Sequence, residues 1–315
     1  MPSSVEHLVK SARECKGREF TELLEDSIDI LSEERAAGRV AGHSMKGGLV
    51  CIGGGDDDDM PERLVVVGDI HGDLEALQRI LNMVRFFDED STLVFLGDYG
   101  DRGLESVEVY HALLSLKHEH PDRIVMLRGN HEGPMDLPFY PHDLPVMLHD
   151  RFGADSTHIY LRLRRLFDLM CTGVLVEGLV LMLHGGVPVK MGSIDDIAYA
   201  EKMHPKSSNL LEILWNDPKE INGYRPSARG YGYYFGKDVT EHALSTVGAR
   251  LLVRAHEPCN DGYRLNHDGL VLTLFSCKEP YGNERGAFMH MRRDVYREMR
   301  GAYSVDRLLS SLHVF

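Results

Sequence analysis

TLVFLGDYGDRG, residues 92–103, runs from an apolar stretch into a turn that sets two aspartates and an arginine among three glycines. A short apolar run closed by glycine reads as a strand buried on both faces. Gly-Asp directly after such a run is by itself an ordinary turn signal. The same ending recurs, however, at RLVVV then GDIHG (68–72), RIVML then RGNHE (128–132), LVLML then HGG (184–186) and LLV then RAHE (254–257). In open α/β sheets the crevice beyond the carboxyl ends of the strands is where ligands bind, so these clusters are expected to converge on one site. Helical stretches at 74–84 and 104–117 alternate with the strands, which indicates α/β architecture.

Pooled, the clusters supply Asp69, His71, Asp98, Asp101, Arg102, Asn130, His131, His184 and His256. Carboxylate and imidazole donors without any thiolate suit a pair of divalent ions, with Mn²⁺, Fe and Zn²⁺ fitting the mixture best. The glycines allow close approach of backbone to metal or phosphate. Most of the 17 histidines, among them His111, His118, His149 and His313, read as surface or packing residues.

GDIHG, GDYGDRG, RGNHE, LHGG and RAHE, in this order and spacing, resemble the phosphoprotein phosphatase family of metal-dependent serine/threonine phosphatases, within the calcineurin-like metallophosphoesterase superfamily. The likeness continues through LLEILWNDP (210–218), SARGYGYYFG (227–236) and DGLVLTLFS (268–276), covering roughly residues 61–291. GNHE alone is shared with nucleases and dinucleoside polyphosphatases, whereas the GD-x-x-DRG and later segments are more specific to protein phosphatases. The short chain and Pro-rich loop resemble the archaeal branch. The resemblance implies a central two-sheet β-sandwich flanked by helices, with the metal site at the strand ends.

It also implies roles. Asp69 and His71 would hold a first metal, Asn130, His184 and His256 a second, and Asp98 would bridge them; Mn²⁺ is the expected ion, with Fe or Zn²⁺ as alternatives. Such a pair can lower the pKa of a shared water from about 15.7 to near 7, giving a hydroxide that attacks phosphorus in line. His131 matches the general acid and Asp101 its partner, while Arg102, Arg229 and Asn130 would contact the phosphate. Tyr281, in CKEPYGNERGAF, stands where the family has a Tyr-Cys-Gly turn above the metals, although the cysteine is missing here. Arg254 fits either a third phosphate contact or a structural ion pair. Gly100 replaces the family's usual valine, and Gly100→Val is expected to keep metal binding and most activity.

Residues 1–60 read as an N-terminal segment packed on a catalytic domain at 61–315, the whole forming one globular unit. Within 1–40, Leu24, Ile28 and Leu31 share a helical face, Thr21 is the expected cap and Gly38 the expected stop. CIGGGDDDDMPE (51–62) reads as a surface loop, its consecutive aspartates lacking the spacing of a calcium loop. Pro134, Pro138, Pro141 and Pro145 mark 133–145 as a loop. Thirty-five basic against 49 acidic residues give a formal charge of −14, which disfavours nucleic acid as a partner. Cysteines 15, 51, 171, 259 and 277 lack C-x-x-C spacing and read as free thiols. No signal-like or membrane-spanning run is seen, so a cytoplasmic protein is expected; phosphorylated proteins as its substrates are what the resemblance implies. A dinucleoside polyphosphate hydrolase is the alternative within the enzyme class. A non-catalytic pseudo-phosphatase scaffold is disfavoured because every motif position is filled.

Overall fold

The computed structural model describes residues 4–53 and 60–315. The apolar runs form strands as expected. Arg63–Val67, Thr92–Phe95 and Ile124–Met126 pair in parallel, with helices Leu74–Met83 and Ser106–Glu119 as the crossovers. Ala287–Arg292 and Leu312–Val314 complete this five-stranded sheet on its antiparallel side. An eight-stranded sheet faces it, in the spatial order Arg39–Val40, His43–Lys46, Leu49–Ile52, Gly173–Val176, Val180–Met182, Leu251–Arg254, Val271–Leu274, Tyr263–Asn266.

Strand alternation decides which face each side chain joins. Leu64, Val66, Val94, Leu96, Val125 and Leu127 point between the sheets, where they meet Val174, Val180, Met182, Val253 and Leu272. Their neighbours Val65, Val67, Leu93, Phe95, Ile124 and Met126 point the other way, onto a helical layer. Leu181, Leu183 and Leu252 do the same on the far sheet, beneath Ile213, Leu214 and Ala243. Because both faces of these central strands are covered, they are continuous apolar runs, as parallel strands usually are. Four layers result, helices outside and sheets within. At the edge that holds the strand ends, isolated bridges Asp69–Phe275 and Leu127–Cys171 cross from one sheet to the other.

Helix Gly17–Ala37 buries Phe20, Leu24, Ile28 and Leu31 against this core and ends at Gly38, whose φ of +64° is the left-handed conformation that favours glycine. Burying each such side chain contributes about 1.5–3 kcal/mol. Thr21 is not the cap: the helix starts four residues earlier, and the Thr21 hydroxyl donates to the carbonyl of Gly17. Leu49–Ile52 joins the large sheet beside Gly173–Val176, so Cys51 and Ile52 belong to a strand rather than to the expected loop. The glycines and aspartates at 54–59 lie outside the described residues. Pro145 likewise leaves the predicted loop for the first turn of helix Leu144–Phe152, where a missing N–H costs nothing. No helix among the described residues is long and apolar enough to cross a membrane.

His111, on helix Ser106–Glu119, is buried near Phe20 with no hydrogen-bond partner for Nδ1. Burial, reinforced by the charge of Arg151, brings its pKa down to about 4. With the folded value depressed, the unfolded chain binds the proton first. Stability is therefore full above about pH 6.5 and is lost as the pH falls toward 4. Denaturant titrations should show His111→Leu losing about 2 kcal/mol less than wild type between pH 7 and 4.5.

Candidate metal and phosphate site

The five clusters meet at the shared edge of the two sheets. Asp69, Asp98 and Asn130 follow parallel strands of the five-stranded sheet, while His184 and His256 follow Val180–Met182 and Leu251–Arg254 of the other. His71, Asp98, Asp101, Arg102 and His256 have φ values of 45°, 55°, 62°, 73° and 70°. Left-handed backbone at non-glycine residues costs free energy, and it persists where surrounding structure enforces it. Part of that enforcement is Glu132, fully buried, which accepts from the backbone N–H of Asp98 (2.8 Å), Tyr99 (3.0 Å) and Gly129 (3.1 Å) and from the hydroxyl of Tyr110 (2.7 Å). A Cβ at Gly129 would lie 2.2 Å from Asp98 Oδ1, so only glycine lets these two turns touch.

Around Asp98 the donors fall into two sets. His71 Nε2 lies 3.5 Å from Asp98 Oδ2 and 3.6 Å from Asp69 Oδ2. His184 Nε2 lies 3.4 Å from Asp98 Oδ1 and 3.1 Å from Asn130 Oδ1, and His256 Nδ1 is 2.8 Å from that same Asn130 oxygen. Asp98 thus turns one oxygen to each set.

Two of the atoms in this cluster have no hydrogen-bond partner among the described residues. Asp69 Oδ2 and His256 Nε2 are buried with no hydrogen bond. Burial and the neighbouring charge of Asp69 hold Asp98 well above the usual carboxylate range. The Nδ1 of His71 faces the carbonyl of Gly100 at 2.9 Å and must carry the hydrogen, which turns Nε2 toward both carboxylates. Burial opposes its protonation, but the bond to Asp69 and the charge of Asp98 outweigh it and carry His71 up to about 9. A proton there occupies the position a cation would take. His184 Nδ1 is similarly spent on the carbonyl of Leu96 at 2.9 Å, and burial brings this ring down to about 4, so its bare Nε2 faces the carbonyl oxygen of Asn130. Carboxylate oxygens, an amide oxygen and imidazole nitrogens gathered at one buried spot fit metal ions.

His131 adjoins this cluster, with Nε2 3.9 Å from Asp98 Oδ2 and Nδ1 2.9 Å from Asp101 Oδ2. Burial works against the charge on Asp101, yet its bonds to His131 and His142 hold it far below the usual carboxylate range. Burial brings His131 down to about 3 despite that neighbour, so the pair keeps its charge on Asp101. His131, Arg102, Arg229 and Tyr281 line one cleft of about 760 Å³. Arg102 donates to the carbonyls of Pro141 (2.6 Å) and Tyr140 (3.4 Å), and Arg229 Nε to Asp217 Oδ2 (2.7 Å). The hydroxyl of Tyr281 is 3.3 Å from His71 Nε2.

Arg254 is the exception. Wholly buried, it is bound to Asp217, Glu257 and the carbonyls of Gly185 and Asn216, so of the two readings the structural ion pair holds and the phosphate contact does not. Glu132, Asp217, Phe139 and His142 were not picked out from the sequence. Glu132 sat inside the quoted RGNHE, and its glutamate after a ligand histidine was the available signal.

Residues 62–260 match the model of the calcineurin-like phosphoesterases, and the chain belongs to that family. The family and the buried Asp/His cluster together point to divalent-metal binding. A probable serine/threonine-protein phosphatase of Encephalitozoon cuniculi is 39% identical over 225 residues, which cover 70% of this chain and 48% of that protein. The chain thus spans about half the length of this curated relative. Among solved structures, a Saccharomyces cerevisiae protein serine/threonine phosphatase with similarity to human phosphatase PP5 superposes with a TM-score of 0.75 at 24% identity, over 96% of this chain and 89% of the other. A cold-active protein-tyrosine phosphatase of a psychrophilic Shewanella shares the fold more distantly, with a TM-score of 0.54 at 16% identity over 73% and 75% of the two chains.

Two outcomes follow from the geometry. A ligand that binds only the folded state adds about 2.7 kcal/mol at 100 times its Kd. Saturating Mn²⁺ should therefore raise the Tm, and Asp98→Asn should lose most of that rise. Gly100 is not in the left-handed region; instead, an added Cβ would lie 2.8 Å from the ring of the buried Tyr110. The contact adds a stability cost, which is separate from the expected retention of metal binding and most activity. Thermal melts should show Gly100→Val costing about 1–3 kcal/mol.

Proposed function

We propose that the chain is a metal-dependent phosphatase that hydrolyses phosphoserine and phosphothreonine monoesters of proteins, with two divalent ions, Mn²⁺ or alternatively Fe or Zn²⁺. The observation that carries this reading is Asp98 turning one oxygen to each donor set, beside the buried His131–Asp101 pair. The name of the Encephalitozoon relative supports protein substrates. Asp69 and His71 would hold one ion and Asn130, His184 and His256 the other, with Asp98 common to both. When bound, the ions supply Lewis acidity to the phosphoryl oxygens and to a water nucleophile. Residues 61–315 would form the catalytic part, 1–60 a segment packed on it, and the cytoplasm is the proposed compartment.

Asp101 fixes the hydrogen of His131 on Nδ1, which leaves Nε2 to face the cleft. An opposite charge within about 4–6 Å stabilises the imidazolium, so an arriving phosphate favours the form of His131 that gives its Nε2 proton to the departing seryl or threonyl oxygen. Arg102 and Arg229 would grip the non-bridging oxygens. Arg102 is oriented by neutral carbonyls, which leave its charge uncompensated for an anion. Asn130 and Tyr281 would add contacts to the phosphate.

On a phosphopeptide with Mn²⁺, His131→Asn should lower kcat by about 10² to 10⁴, and Asp98→Asn should be nearly inactive. Near-full activity in either folded variant would sink the proposal. A higher kcat/KM on diadenosine tetraphosphate than on the phosphopeptide would move the chain to nucleotide hydrolysis.

A further inference from the structure

We propose that His142 is a positioning residue for His131, acting through Asp101; this rests on the reading of His131 as the acid. Asp101 Oδ2 accepts from His131, and its Oδ1 accepts from the backbone N–H of Asp143 (2.6 Å) and Leu144 (2.7 Å). Among the described residues, only His142 Nδ1 reaches both oxygens, at 3.1 Å from Oδ1 and 3.3 Å from Oδ2. That matters because the carboxylate torsion of an aspartate is soft. Rotation about that bond carries both oxygens together, and a donor that reaches both adds a restraint, beyond the two N–H groups on Oδ1, against the turn that would take Oδ2 away from the imidazole of His131.

The arrangement needs no charge on His142. A carboxylate only accepts, so Nδ1 carries the hydrogen and Nε2 is free to accept the hydroxyl hydrogen of Tyr160 at 2.9 Å. Tyr160 sits on helix Ser156–Phe167, so the ring is anchored to a rigid element although His142 itself lies in the Pro-rich loop. Phe139 packs against both imidazoles, its ring centroid 3.9 Å from that of His131 and 4.8 Å from that of His142. Attachment of the loop does not depend on His142. Arg102 holds the carbonyl of Pro141 at 2.6 Å, the backbone N–H of Arg102 donates to Asp143, and the two N–H groups on Asp101 remain. What His142 adds is control of the carboxylate.

Asparagine and glutamine separate the two ends of the ring. The amide nitrogen of His142→Asn falls near Nδ1 and can still donate to Asp101, while His142→Gln reaches the Tyr160 end and leaves Asp101 free. With a phosphopeptide and Mn²⁺, His142→Gln should lower kcat about tenfold with KM within about twofold, since small misplacements of a reacting group cost that much or more. His142→Asn should stay within about threefold of wild type. In metal-free protein the downfield resonance of the His131 Nδ1 proton should persist in the asparagine variant and be lost or shifted in the glutamine variant, at equal Tm. A glutamine variant with wild-type kcat and resonance overturns the proposal, as does an asparagine variant that falls as far as glutamine. If His142→Gln does not fold, Tyr160→Phe takes its place with the same expected direction, and unchanged kcat and resonance overturn the proposal. An inactive wild type would overturn the phosphatase reading instead, and the resonance, which needs no turnover, then decides the role of His142.

Discussion

A carboxylate removed from water has to be given partners, and this protein does so in two opposite ways a few ångströms apart. Glu132 receives four hydrogens, three from backbone and one from Tyr110, and is thereby a structural post. Asp69 and Asp98 are as deeply buried but receive only one backbone N–H each, from His256 and His131, and turn their Oδ2 atoms to the His71 ring. Unpaired buried charge is strongly unfavourable, so the pocket is incomplete as a purely organic assembly. The positive φ angles of His71, Asp98 and His256 have the same origin, because a relaxed turn would let these groups turn away from each other.

The layered fold makes this possible without a dedicated scaffold. Parallel strands deliver their carboxyl ends to one edge, and pairing two such sheets face to face brings ends from both to the same line. Strand direction therefore does the gathering. Loops only have to turn the last one or two residues inward.

That division explains what could be read from the chain. Buried parallel strands announce themselves as apolar runs, and short-range motifs such as GDIHG and RGNHE carry their donors within a few residues of the strand, so the sheets and Asp69, His71, Asp98, Asn130, His184 and His256 were legible. Groups that act across long sequence separations were not. His142 lies 41 residues from Asp101 and Tyr160 another 18 away, and nothing local marks either. Arg254 looked the same as a phosphate-binding arginine until Asp217 and Glu257 were seen to enclose it. Gly100 was read for its freedom of backbone, whereas its real constraint is the volume occupied by Tyr110, ten residues on along a helix. The short strands at 39–52 were missed because they are marginal alone and form by joining a distant partner at 173–176.

The apolar layer between the sheets carries one more consequence. The donors of one set hang from one sheet, most of those of the other set from its mate, and the gap is filled by Val66, Val94, Val125, Val174, Met182 and Val253. Those side chains are not themselves donors, yet their girth sets how far apart the two halves of the site stand. Interiors packed to crystal density pass on strain instead of absorbing it. The hydrophobic core therefore works as a gauge block, and a methyl group added or removed within it changes a dimension of the site as well as the strength of the fold.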